Sequence, residues 1–165
     1  MSRTLRYFSL VALIGLTSGS AFAADLPKEG SYDFTSCWSG ASNLITFDNT
    51  HVAFSYEMTG VNRSNPPGGL FDKVAFRCVG MNSQFDGKAS GTTVCQGVDL
   101  DGDKRLTYFS LGADGKTTRQ FITGTGKYEG MVESATAIQP LGPFPVVKAG
   151  TFSDCNHQTG TYKLK

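Results

Sequence analysis

The stretch FRCVGMNSQFDGKASGTTVCQG (Phe76–Gly97) predicts a β-hairpin with a disulfide across its two strands. Asp86 and Gly87 stand at its centre, and Asp-Gly between two β-like runs is the strongest short hairpin signal, because a type I′ turn needs positive φ at both central residues. Cys78 lies eight residues before Asp86, and Cys95 lies eight residues after Gly87. A two-residue turn therefore places the two cysteines opposite each other. They form a non-hydrogen-bonded pair, whose Cα atoms approach to about 4.5 Å, within disulfide range.

The first 23 residues have the three-part form of a secretory signal peptide. Two arginines and no acid precede the apolar run LVALIGL (10–16), and an Ala-x-Ala pattern ends at Ala23. This run is far shorter than the roughly 20 residues that span a bilayer. We therefore predict export to a bacterial periplasm or the extracellular space, with no stable membrane anchor after processing. Residues 24–165 have the length of a single domain.

All four cysteines lie in the predicted mature chain, and an even number of cysteines in an exported protein indicates disulfides. None of them belongs to a C-x-x-C motif, and neither His51 nor His157 stands at zinc-ligand spacing from them. We predict no metal site. Once Cys78 is paired with Cys95, Cys37 and Cys155 are left to pair with each other.

Asp-Gly recurs twice downstream, in VDLDGDKRL and in LGADGKTT, and β-branched and aromatic residues are frequent between the turns. This rhythm is typical of an antiparallel meander, and no segment shows a sustained apolar helical stripe. We predict an all-β fold, a closed antiparallel up-and-down β-barrel of about eight strands, because closure removes exposed sheet edges. A calycin-type barrel, lipocalin-like or avidin-like, fits the same meander. Closure would make the first and last strands neighbours and bring Cys37 to Cys155.

If all three Asp-Gly turns have two residues, one row on a sheet face reads Cys78, Cys95, Tyr108, Phe121. The same register places Arg77 and Arg119 on opposite faces, so that one of the two arginines enters the interior. Both faces are partly apolar, which indicates that the second face packs on the chain termini or on another subunit.

The segment FITGTGKYEGMVESATAIQPLGPFPVVKAGTFS (Phe121–Ser153) resembles the signature region of the allene oxide cyclase and dirigent barrel superfamily. The resemblance lies in a strand that ends in a G-x-G-x-[YF]-x-G turn, formed here by Gly124, Gly126, Tyr128 and Gly130. A further strand, a Pro/Phe stretch and another strand follow the turn. The resemblance implies an eight-stranded barrel with an apolar cavity, and it implies a homo-oligomer, commonly a trimer.

Composition and motifs exclude several functions. The chain has a net charge of only +1, without the basic patch that nucleic acid binding requires. No G-x-S-x-G elbow is present, and the glycine-rich turn lacks the phosphate-binding fingerprints. The three aspartates of DLDGD (99–103) do not match an EF-hand loop and are interpreted as an acidic hairpin turn. We predict no cofactor and assign no catalytic residue.

Three functions fit these observations. The first is the binding of a small apolar or aromatic ligand, with the aromatic residues of the strands and the glycine-rich turn as candidate contacts: Phe54, Tyr56, Tyr108, Phe121 and Tyr128. The second is a structural or interaction protein whose barrel is filled. The third, implied by the resemblance, is a cofactor-free cyclase or isomerase that shapes its substrate in the cavity.

Overall fold

The computed structural model describes residues 26–134 and 136–165, which form one antiparallel sheet. The predicted signal peptide lies outside the described residues. The strands are β1 (Glu29–Thr46), β2 (His51–Ser64), β3 (Ala75–Phe85), β4 (Lys88–Val98), β5 (Lys104–Leu111), β6 (Thr117–Gly124), β7 (Val132–Glu133), β8 (Ala137–Pro140) and β9 (Thr151–Lys163), with a 3₁₀ turn at Gly126–Tyr128 between β6 and β7. Within this described part, no helix is long and apolar enough to span a membrane.

The order of the strands is β6-β5-β4-β3-β2-β1-β9-β7, with β8 also paired to β9. The first and last long strands are neighbours, as predicted, but the closed barrel is wrong: the sheet is an open half-barrel with β6 and β7 at its edges. The physical reason is length. β7 has two residues and cannot form a ladder along the eight residues of β6. The β1–β9 pair therefore lies inside the sheet and is not a closing seam.

Both predicted disulfides are present. In the first hairpin Asp86 and Gly87 have φ values of 50° and 76°, as a type I′ turn requires. Cys78 lies opposite Cys95 at a Cα–Cα distance of 4.1 Å, and we call this bond the hairpin disulfide. Cys37 lies opposite Cys155, also at 4.1 Å, and we call this bond the central disulfide. The two bonds indicate an oxidising environment.

The next two turns are longer than predicted. Residues 99–103 connect β4 to β5, and residues 112–116 connect β5 to β6. The Asp99 carboxylate accepts the backbone N–H groups of Asp101 and Asp103, at 2.9 and 3.0 Å, which organises the longer turn. The pairing of β4 with β5 is therefore shifted by one residue from the predicted register, and each β5 side chain lies on the opposite face from the one predicted. The prediction that Tyr108 lies opposite Cys95 is therefore wrong: Thr107 does. The second slip compensates for the first and returns Phe121 to the inner face.

The segment FPVVKAGTF (144–152) enters the sheet only with its last two residues. Residues 141–150 lie outside the sheet, and β9 begins at Thr151. Pro143 and Pro145 have no backbone N–H to donate to a ladder. This segment instead turns across the inner face of the half-barrel, where Phe144 and Val146 line its open end.

A packed core fills the other end of the half-barrel. The loop of residues 65–74 turns inward and brings Leu70, Phe71 and Val74 against the inner face. Tyr128 of the glycine-rich turn is fully buried there and donates its hydroxyl proton to the Leu70 carbonyl at 3.1 Å. Gly126 has φ +54°, and a Cβ at that position would lie 1.8 Å from a carboxylate oxygen of Asp103, so the turn requires glycine.

Candidate functional site

The inner face encloses a cavity of about 850 Å³ at the end opposite the core. Aromatic and aliphatic side chains from alternate positions of the strands supply much of its wall: Trp38, Phe54, Tyr56, Met58, Phe109 and Phe144. Trp38 is the only tryptophan of the chain. The cavity is open to solvent on one side, so a ligand has a path to it.

The wall around Tyr56 is well ordered by packing. Its ring contacts Phe54 and Phe152 with centroid distances of 5.8 Å each, and its hydroxyl hydrogen-bonds to Thr93. Gly80 makes room for the ring, because a Cβ there would lie 2.5 Å from it. These contacts hold the aromatic wall in place before any ligand binds.

The predicted ligand contacts do not all meet in the cavity. Phe54 and Tyr56 line it. Phe121 packs against the core, and Tyr128 belongs to the core. Tyr108 lies opposite Val94 on the outer face because of the register slip. Sequence periodicity placed Phe54 and Tyr56 on the same face of β2, since alternation within one strand does not depend on the neighbouring turns.

A small polar chamber of about 30 Å³ lies between the cavity and the core. Its polar walls are formed by Ser36, Asn62, Arg105, Thr107, Arg119 and Gln158. Ser36, Phe109 and Gln158 line both spaces, so the chamber adjoins the cavity.

Of Arg77 and Arg119, Arg119 is the one that enters the interior. Its Nη2 atom lies 2.8 Å from Oε1 of Glu133, and the two side chains are only 1% and 4% exposed. Its Nη1 atom donates to the Tyr32 hydroxyl at 3.1 Å. This ion pair bridges the open edges β6 and β7. Arg77 lies outside and pairs with the exposed Glu57 at 2.7 Å.

Arg105 is the residue that sequence reasoning missed. It is 7% exposed, and its guanidinium carbon lies 4.1 Å from the centroid of the Phe71 ring. Burial, followed by the charge of Arg119, lowers the pKa of Arg105 to about 10, so it is still charged at neutral pH. Among the described residues, no group accepts a hydrogen bond from its Nη1 atom and no carboxylate forms an ion pair with it. The correct β4–β5 register was the only signal that would have placed it inside.

Two further polar groups in the chamber lack partners among the described residues: Nδ2 of Asn62 and Oε1 of Gln158. The other ends of these amides are engaged. Oδ1 of Asn62 accepts from Ser36 Oγ at 2.9 Å, and Nε2 of Gln158 donates to Asn156 at 2.9 Å. Buried polar groups without partners are uncommon in folded proteins. The chamber therefore presents Asn62 and Arg105 as free donors and Gln158 as a free acceptor.

Lys127 partly neutralises the acidic turn of residues 99–103. Nζ of Lys127 lies 2.9 Å from an Asp99 oxygen and 2.7 Å from an Asp101 oxygen. The Asp103 carboxylate accepts the backbone N–H of Lys127 at 3.0 Å. The turn is thus tied to the glycine-rich turn that seals the core. In residues 26–134 and 136–165 no group of three or more His, Cys, Asp or Glu side chains is placed so that it could hold a metal ion.

Comparison of the chain with protein-family models, with curated proteins and with solved structures finds no match. The class defined by fold and site is a disulfide-stabilised, antiparallel β protein with an interior cavity. The resemblance to the allene oxide cyclase and dirigent superfamily stays a prediction.

Proposed function

We propose that this protein is an exported β protein that binds a small apolar or aromatic ligand in the cavity of its half-barrel. The observation that carries the proposal is the cavity itself, a space of about 850 Å³ with a largely aromatic and aliphatic wall. Ligand sites commonly have volumes of about 300–1,000 Å³ and are lined by hydrophobic side chains with a few polar groups.

The architecture supports a cavity that exists without ligand. The hairpin disulfide joins β3 and β4, and the central disulfide joins β1 and β9. The packed core holds the far end of the same strands. A site that is held open in advance loses less conformational entropy when a ligand binds, which favours affinity.

The proposal is tested with N-phenyl-1-naphthylamine, a neutral probe whose fluorescence rises in apolar surroundings. Ser42 lines the cavity, whereas Ser55 is exposed on the opposite face of the neighbouring strand. Ser42→Phe should abolish the fluorescence rise, and the matched control Ser55→Phe should leave it unchanged. Quenching of the single Trp38 by the bound probe gives a second readout. Absence of binding, or equal effects of the two substitutions, would refute the proposal. Native mass spectrometry of protein from its own periplasm would identify a retained ligand.

The alternative functions have less support. A filled barrel matches only the core end, because the other end holds the cavity. A cyclase or isomerase needs a reactive group at the ligand, and Asp154 is the only carboxylate among the described residues that line the cavity. Its Oδ1 atom accepts the backbone N–H of Cys155 at 2.7 Å. We therefore propose ligand binding, and not catalysis, as the function of the cavity.

We also propose that the protein forms a homo-oligomer through its outer face. Val79, Met81 and Val94 are 48%, 61% and 38% exposed there, on two neighbouring strands. An exposed apolar patch is typical of an interaction surface. Light scattering should give the mass of an oligomer for the wild type and of a monomer for Met81→Lys. A monomeric wild type would exclude the proposal.

A further inference from the structure

We propose that the ligand carries one carboxylate, which binds Arg105 in the polar chamber while the apolar body of the ligand occupies the cavity. This inference rests on the proposed function and specifies the class of ligand. The observation that carries it is a buried arginine without an acid partner in a polar chamber beside an apolar cavity.

The charges of the chamber indicate that the ligand supplies a negative charge. Arg105 and Arg119 are both buried, and Glu133 is the acid that pairs with Arg119. One positive charge is therefore left without a counter-charge among the described residues. A buried charge is unfavourable unless it is paired and hydrogen-bonded. The Phe71 ring compensates only in part, because a cation–π contact offers no hydrogen-bond acceptor.

The free donors define the group that binds. Nη1 of Arg105 and Nδ2 of Asn62 both lack acceptors among the described residues, and both side chains line the chamber. A guanidinium presents N–H groups in a planar fork that matches a carboxylate. A carboxylate carries one negative charge, which equals the uncompensated charge, whereas a phosphate monoester carries nearly two. The chamber of about 30 Å³ is also small.

The position of the chamber defines the shape of the ligand. Ser36, Phe109 and Gln158 line both the chamber and the cavity, so the two spaces are neighbours. A ligand that reaches both would place its carboxylate at Arg105 and its substituent along the aromatic wall. A straight-chain fatty acid and an aromatic carboxylic acid both have this form. The experiment below separates these two sources.

The competing explanation is that Arg105 is only a packing element of the core. The two explanations differ in what Arg105→Met does. If Arg105 binds a carboxylate, the substitution weakens the binding of acids alone. If Arg105 only packs on Phe71, it affects acids and neutral analogues alike. Arg77→Met is the matched control, because Arg77 lies on the outer face in an exposed ion pair with Glu57.

Binding is measured by displacement of N-phenyl-1-naphthylamine with two pairs of compounds: dodecanoate with 1-dodecanol, and 2-naphthoate with 2-naphthamide. In at least one pair the acid should bind the wild type about 10- to 100-fold more tightly than its neutral analogue, as a charge-assisted hydrogen bond permits. Arg105→Met should remove that preference and change the affinity of the neutral analogue less than about twofold, which is within the scatter of such mutational effects. Arg77→Met should change neither. The pair that shows the preference identifies a straight-chain or an aromatic acid.

The outcomes are distinguishable. If the fluorescent probe and all four compounds fail to bind, the proposed function is wrong and the inference falls with it. If acids and neutral analogues bind equally, or if Arg105→Met weakens both alike, only the inference is wrong. Should Arg105→Met fail to fold, the wild type decides through ¹³C NMR of carboxyl-labelled dodecanoate and naphthoate. Pairing with Arg105 should lower the pKa of a bound acid below its value in water. A raised pKa would show a carboxyl group in apolar surroundings and overturn the inference.

Discussion

Replacement of Glu133 by glutamine tests the charge balance of the interior. The amide retains an oxygen that can accept from Arg119, and the atom it replaces, Oε2, makes no hydrogen bond among the described residues. Glu133→Gln therefore removes a charge with little change in shape. It leaves the buried Arg105 and Arg119 with two positive charges and no acid partner.

The expected loss of stability in Glu133→Gln follows from the burial of the Arg119–Glu133 ion pair. The side chains of Arg119 and Glu133 are 1% and 4% exposed, so solvent screens the pair weakly. Removal of one partner from a buried ion pair costs about 3–5 kcal/mol, because the remaining charge stays desolvated. We expect about 3 kcal/mol for Glu133→Gln, since the hydrogen bond survives. That is a large part of the roughly 5–15 kcal/mol that stabilises a typical domain.

The assay is urea denaturation of four proteins: wild type, Glu133→Gln, Arg105→Met and the double variant. The double variant has one uncompensated positive charge, as the wild type does. Glu133→Gln should therefore cost at least about 1 kcal/mol less in the Arg105→Met background, a coupling typical of residues in one network. The slopes of the denaturation curves should agree, which keeps the free energies comparable.

Two results would refute this reasoning. If Glu133→Gln costs less than about 1 kcal/mol, the ion pair between β6 and β7 behaves like an exposed one. If the two substitutions are additive within about 0.5 kcal/mol, the arginines do not share a charge balance.

Three further measurements test the fold. Gly60→Ala should lower the free energy of unfolding by about 3 kcal/mol, because its Cβ would lie 2.3 Å from a backbone oxygen of β1. Gly87→Ala should lower it by only about 1 kcal/mol, because Gly87 has φ +76° but open space around it. In thermal melts, loss of the central disulfide should cost more than loss of the hairpin disulfide, about 4.9 against about 3.1 kcal/mol by chain entropy for separations of 118 and 17 residues; equal costs would contradict this order. Burial raises the pKa of Asp99, but the hydrogen bonds to the carboxylate and the charge of Lys127 together outweigh burial and lower the pKa below the usual 3.8. Stability should therefore fall as the pH drops below 3.8, and acid titration of Lys127→Met should show a shallower fall.

Local sequence was informative wherever structure depends on neighbouring residues. The positive φ values at Asp86 and Gly87 follow from turn chemistry, and they set the register of β3 and β4. Alternation within β2 placed Phe54 and Tyr56 on one face, because the direction of side chains within a strand also depends only on neighbouring residues. The register failed at residues 99–103, where the Asp99 side chain stabilises a longer turn that the Asp-Gly signal does not reveal.

The sequence by itself determined the β class, the pairing of the cysteines and the antiparallel order of the first six strands, because each depends on contacts between residues close in the chain or on elimination. The tertiary structure alone decided that the half-barrel stays open, that a loop fills one end, and that Arg105 points into the interior. These features depend on the two-residue length of β7, on the inward path of residues 65–74 and on one extra residue of register. The first two are set by packing between distant segments, and the register is set by the Asp99 side chain within its turn. A residue pattern within one strand encodes none of the three.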